Sequence, residues 1–150
     1  RLKKRVPQSF YGAYAERRAQ CEAAAEQLGV KALRDVSMTQ LEAARDTLDD
    51  VLYRRAQHIV TENQRVHIVN MSFQSGALKT AGEALRKSHA SLRDDYEVSC
   101  RELDVISDLA NAQPGCYGAR MTGAGFGGVN LFQGQSRRNA HHVFFIIQTP

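Results

Sequence analysis

The chain has 150 residues, with 20 Lys and Arg against 16 Asp and Glu for a formal net charge of +4, a length that predicts one domain able to bury a core without disulfide or metal staples. Its longest unbroken apolar run, Val143 to Ile147, is far short of the roughly 20 residues of a membrane-crossing helix, and no signal-peptide pattern opens it, so a soluble, cytoplasmic protein with no membrane partner is the default expectation. Cys21, Cys100 and Cys116 are widely spaced and lack a C-x-x-C pair, which argues against a disulfide framework or a zinc site.

Residues 1–13 form an atypical basic segment. Arg1, Lys3, Lys4 and Arg5, with Arg137 and Arg138 near the other end, carry six of the twenty basic groups and have no acidic company. The body between them is slightly acidic, and no recognition motif accompanies the charge, so nucleic acid is not an expected partner. From Tyr14 to Leu28 the spacing of Tyr14, Cys21, Ala25 and Leu28 predicts an alanine-rich helix stopped by Gly29. Ser37 and Gln40 form a capping-box pattern opening a helix from about Met38 to Thr47, with Leu41 and Ala44 on its inner face. The longest periodic segment starts near Asp50 and places Leu52, Ala56, Ile59, Val66, Val69 and Phe73 on one stripe, ending at Gly76. A further helix carries Leu78, Ala81, Leu85, Ser88 and Leu92; Ser99 and Glu102 pattern as a second capping box before Leu103, Ile106 and Leu109.

At Pro114 and Gly115 the character changes to a short strand, Tyr117 to Met121, a glycine-dense loop, Thr122 to Gly128, and a strand-like or loop-like run, Val129 to Phe132. Helices followed by strands predict an α+β fold, with helices packed on a small antiparallel sheet.

The loop Met121-Thr122-Gly123-Ala124-Gly125-Phe126-Gly127-Gly128 is the most informative stretch. Its glycines permit positive φ and let backbone amides approach an anion without Cβ interference. It satisfies G-x-G-x-x-G at Gly123, Gly125 and Gly128, but a dinucleotide fingerprint must open a helix, and Val129 to Phe132 follow instead. Other chemistry-bearing residues have plainer explanations. Asp94 and Asp95 beside Arg93 are adjacent helix-end charges that do not face one another. His58 and Glu62 stand one turn apart with no third metal ligand and fit a solvent face. His89 lies beside the Leu85 and Leu92 row as a hydrogen-bonded interior histidine, and His141-His142 is too short for a metal motif.

Read together, three ordered blocks resemble the galactokinases of the GHMP small-molecule kinase superfamily. They are Tyr14-Ala15-Glu16-Arg17-Arg18-Ala19-Gln20-Cys21-Glu22, the stretch Ser88 to Cys100 with Glu102-Leu103-Asp104, and the glycine loop, with Leu33-Arg34-Asp35-Val36 and Thr61-Glu62-Asn63 between them in the family's order. The resemblance covers residues 14–128 and implies the carboxy-terminal domain of that superfamily, ferredoxin-like in its sheet and incomplete at its C-terminus. It implies ATP-dependent phosphorylation of α-D-galactose at O1, with ATP and Mg2+ as the complete enzyme's nucleotide and metal. It implies that Tyr14 hydrogen-bonds the sugar and that Thr122, Gly123, Ala124, Gly125, Phe126, Gly127 and Gly128 pack beside the nucleotide phosphates. The family's catalytic aspartate and arginine, phosphate-cradling loop and magnesium ligand precede the part matched here, so no catalytic or metal-binding residue is expected in this chain, and it is expected to be inactive by itself. A non-catalytic sugar-sensing or partner-binding role is the alternative. Residues 129–150 depart from the family as a divergent tail, with the character of a shifted reading frame or a further strand at Val143 to Ile147. Association through an exposed sheet edge is the expected consequence of a sheet that lacks strands.

Overall fold

The computed structural model describes residues 8–123, 125, 129–135 and 142–148, and side chains within residues 12–123 and at 125. It divides into two compact units, Arg1–Val60 and Thr61–Pro150. Among the described residues there are five α-helices and then three strands, so the order of elements is that of an α+β chain.

In the first unit, α1 (Gln8–Gln27) begins earlier than the sequence pattern predicts, because only Gly12 interrupts an otherwise helix-compatible stretch before Tyr14. It ends in a Schellman turn: the Gly29 N–H reaches Glu26 O and the Val30 N–H reaches Ala25 O, both at 3.0 Å, with Gly29 at φ 69°. A 3-10 turn (Leu33–Asp35) leads to α2 (Met38–Ala43). Ser37 and Gln40 make the reciprocal capping box: the Gln40 N–H donates to Ser37 Oγ at 3.2 Å and the Ser37 N–H to Gln40 Oε1 at 2.9 Å. The helix stops four residues short of Thr47 because the chain tightens into i→i+3 turns, with the Arg45 N–H on Glu42 O and the Thr47 N–H on Ala44 O. Ala24, Leu41 and Ala56 are fully buried at the centre of this unit's core, with Leu33, Val36, Leu48 and Val60 around them.

Helix α3 (Asp50–Ser75) ends at Gly76 in the same kind of turn as α1. The predicted stripe holds over its first half, where Ala56 and Val60 are buried and Leu52 and Ile59 pack against the core. It fails over the second half: Val66 and Phe73 are exposed, and Ser72 is buried instead. Periodicity identifies which residues share a face, but not whether a neighbour covers that face along its whole length.

In the second unit, α4 (Leu78–Asp94) and α5 (Arg101–Asn111) pack on β1 (Cys116–Thr122), which pairs antiparallel with β2 (Val129–Gln135), and β2 with β3 (His142–Gln148). The sheet order β1-β2-β3 is a meander with an irregularity between Cys116 and Gly118. Val143 to Ile147 thus lies in a strand, with Phe145 opposite Phe132. Ala81, Ser88, Leu103, Ala119 and Met121 form the fully buried interface between helices and strand. Leu109, predicted on the inner face of α5, is 60% exposed, and Ser107 takes the buried position. Among the described residues no helix is long and apolar enough to cross a membrane.

Candidate functional site

The glycine loop leaves the end of β1, so what fixes β1 fixes the loop. In an antiparallel strand alternate residues direct their backbone groups to opposite sides, and those of Ala119 and Met121 face away from β2. Side chains, not another strand, meet that outer edge. Asn111 at the end of α5 accepts from the Ala119 N–H at 2.9 Å, and His89 Nδ1 on α4 accepts from the Met121 N–H at 3.1 Å. Arg120 Nε donates to Met121 O at 3.1 Å.

The same Arg120 reaches inward. One of its terminal nitrogens lies 2.5 Å from Glu62 Oε1 on α3 and 2.7 Å from Ser88 Oγ on α4, and the Ser88 hydroxyl donates to Glu62 Oε1 at 2.7 Å. Glu62 Oε2 accepts from Arg65 Nε at 2.8 Å, so both carboxylate oxygens are engaged. Burial pushes the Glu62 carboxyl up, but bonds from Ser88 and Arg65 and the charge of Arg120 outweigh it and hold it below its ordinary 4.5. Glu62 is therefore an ionised anchor rather than a proton shuttle. His58 is buried and Glu62 is turned to these partners, so the expectation that both lie on a solvent face is overturned.

His89 is the second anchor. With Nδ1 accepting from Met121, its neutral ring carries the proton on Nε2, 3.1 Å from Asp104 Oδ1 but not aligned on it as a hydrogen bond. The Ser99 hydroxyl takes that same carboxylate oxygen at 2.5 Å. Ser99 therefore does not cap α5, contrary to its pattern. Cys100 is the cap residue and makes no side-chain cap bond, while the Ser99 hydroxyl is turned to Asp104. Burial lowers the His89 pKa below 6.5 against the pull of Asp104. Between that lowered value and 6.5 the unfolded chain binds more protons than the folded one, so stability rises with pH and is fully present above about 6.5. The urea midpoint of the parent should fall on acidification from pH 7 towards 5. His89→Gln, which keeps an acceptor but does not titrate, should show a shallower slope there; equal slopes would remove His89 from the account.

Within the loop, Gly123 and Gly125 both have positive φ, 89° and 80°. Gly123 is exposed, and among the described residues nothing lies within 4 Å of a Cβ placed there, whereas Gly125 is buried: a Cβ there would lie 2.5 Å from Val98 O and 2.7 Å from Val98 Cβ. One glycine is seated on the wall formed by Val98, Leu103 and Met121, and the other faces outward. Ala124, Phe126, Gly127 and Gly128 lie outside the described residues. Tyr14 belongs to the first unit, where it stands on α1 with 54% of its surface exposed.

The remaining candidates do not converge. Arg93 grips Asp94 through two bonds of 2.7 and 3.0 Å, while Asp95 accepts from Ser91 at 2.7 Å, so the two aspartates form no carboxylate pair. His141 lies outside the described residues, and His142 is in β3. A cleft of about 340 Å3 in the first unit, lined by Gln27, Leu28, Val30, Val36, Gln40 and Thr47 among others, holds no titratable side chain. Among the described residues no three His, Cys, Asp or Glu side chains gather as metal ligands.

Sequence patterning missed the Glu62–Ser88–Arg120 cluster. Thr61-Glu62-Asn63 marks kinship, but nothing local ties it to a strand residue 58 positions later.

A profile of GHMP kinase C-terminal regions matches residues 71–141. The galactokinase of Homo sapiens is 49% identical over 118 residues, covering 79% of this chain and 30% of its own length. That of Roseiflexus sp. is 43% identical over 137 residues, covering 87% of this chain and 35% of its own. A crystal structure of Lactococcus lactis galactokinase complexed with galactose superposes with a TM-score of 0.79 at 32% identity, over 99% of this chain and 42% of that one. Residues 71–141 thus match the C-terminal domain of GHMP kinases, and the α+β order of elements agrees with it. These relatives are galactokinases, and the chain resembles their carboxy-terminal part. It spans about a third of the length of those curated relatives.

Proposed function

We propose that the chain is the carboxy-terminal part of an ATP-dependent galactokinase that forms galactose 1-phosphate. The reaction makes a bond from galactose O1 to the γ-phosphorus and breaks that phosphorus's bond to the β,γ-bridging oxygen, releasing ADP and the hydroxyl proton. In such transfers a protein chiefly positions the two substrates and stabilises charge on the moving group. This chain's share is positioning. In this reading the loop from Thr122 to Gly128 serves the nucleotide phosphate site, and the Tyr14 hydroxyl bonds the sugar. The Mg2+ that the family implies finds no ligand set among the described residues, so no step is assigned to it. The observation that carries the reading is an outward-facing, positive-φ Gly123 on a loop pinned by Gly125, in a chain 49% identical to a galactokinase over 118 residues.

The test is reconstitution. Mixed with, or fused to, the amino-terminal part of a related galactokinase, the chain should yield galactose 1-phosphate dependent on both ATP and galactose. Tyr14→Phe should raise KM for galactose several-fold and leave KM for ATP unchanged. A folded, associated complex that makes no product would overturn the proposal; galactose binding without transfer would support a sugar-binding role instead.

A further inference from the structure

Arg120 is bound on three sides. Its guanidinium touches a carboxylate on α3, a hydroxyl on α4 and, through Nε, the carbonyl of Met121, the second residue before Gly123. Only a planar fork with several fixed donors can meet three such acceptors at once; a lysine ammonium is a point charge on a flexible stem. The bond to Met121 O and the His89 bond to the Met121 N–H hold both backbone groups of one residue from the side away from β2. Met121 is itself fully buried, so the strand end has no slack into which the loop could retreat.

We infer that Arg120, anchored by Glu62 and Ser88, is a positioning residue for nucleotide binding: it sets where β1 ends and hence where the amides of the glycine loop meet the phosphates. The inference rests on the phosphate-site reading of that loop. Arg120 touches no substrate in this account and acts through Met121 to Gly125.

Two readouts separate this role from a merely structural one. In the reconstituted enzyme, Arg120→Lys keeps a charge beside Glu62 and loses the bridge. It should raise KM for ATP about tenfold, with KM for galactose unchanged and kcat within about twofold of the parent. A KM for ATP within twofold of the parent's overturns the inference. So does a fall in kcat with both KM values rising together, which marks general loss of structure. In this chain alone, hydrogen exchange across Met121 to Gly125 should quicken at least tenfold in Arg120→Lys while α1 is unaffected; unaltered exchange also overturns it. If the parent reconstitution makes no galactose 1-phosphate but exchange quickens as stated, the transfer reading fails and the positioning of the loop stands.

Discussion

Gly82→Ala is expected to unfold the second unit at temperatures where the parent remains intact. Helix α4 crosses β1 with the two backbones in contact. A Cβ on Gly82 would lie 2.0 Å from Tyr117 O, and one on Gly118 would lie 2.1 Å from Gly82 O. Both obstacles are backbone atoms, held by the helix on one side and by the pairing of β1 with β2 on the other, so neither can rotate aside. Overpacking a rigid interior costs about 1–3 kcal/mol, occasionally more, and this geometry belongs at the upper end. About 3 kcal/mol is a large share of a typical 5–15 kcal/mol stability and corresponds to a fall in Tm on the order of 15 °C in a unit of this size. Gly12→Ala in α1 should act in the opposite direction, by about 0.5–1 kcal/mol, since a Cβ there meets nothing within 4 Å and a helix-interior glycine is entropically costly. Thermal unfolding followed by circular dichroism measures both; a Gly82→Ala protein as stable as the parent would show that the α4–β1 contact is not as described.

The second large effect concerns the loop. Gly125→Ala meets two penalties at once: a left-handed φ of 80°, costing about 1–2 kcal/mol for a residue with a Cβ, and collision with Val98 O and Cβ. Gly123→Ala meets only the first, because among the described residues nothing lies within 4 Å of a Cβ there. Chemical denaturation should therefore show a loss of about 1–2 kcal/mol for Gly123→Ala and about 3–4 kcal/mol for Gly125→Ala. If the protein escapes that cost by letting the loop lift off Val98, the stability loss shrinks and the affinity of the reconstituted enzyme for ATP falls instead. Two variants equal in both stability and ATP affinity would mean that Val98 does not seat the loop.

The contrast between those two glycines shows where sequence reasoning ended. Spacing and composition identify the loop, but nothing in a run of glycines tells which one carries the contact. Helix starts and stops were legible where the determinant is local, as at Ser37–Gln40, Gly29 and Gly76, since caps are made by residues a few positions apart. At Ser99 the pattern misled: its hydroxyl donates to Asp104 rather than accepting from an α5 amide. The distal half of α3 misled for a different reason: an apolar stripe is a statement about one helix, and exposure depends on what lies opposite. Gly82 with Gly118, and Glu62 with Arg120, are pairs made by tertiary packing over 36 and 58 positions, and neither has a local signature. Tyr14 and the loop stand out as candidates through resemblance, not through periodicity.

The most direct measurement of the central claim is a nuclear magnetic resonance titration of the reconstituted protein, isotopically labelled in this chain, with ATP and galactose in separate arms. The amides of Gly123 and Gly125 should shift and saturate with ATP and stay in place with galactose. Amides that remain unmoved by ATP in a preparation that forms galactose 1-phosphate would contradict the assignment of this loop to the nucleotide phosphates.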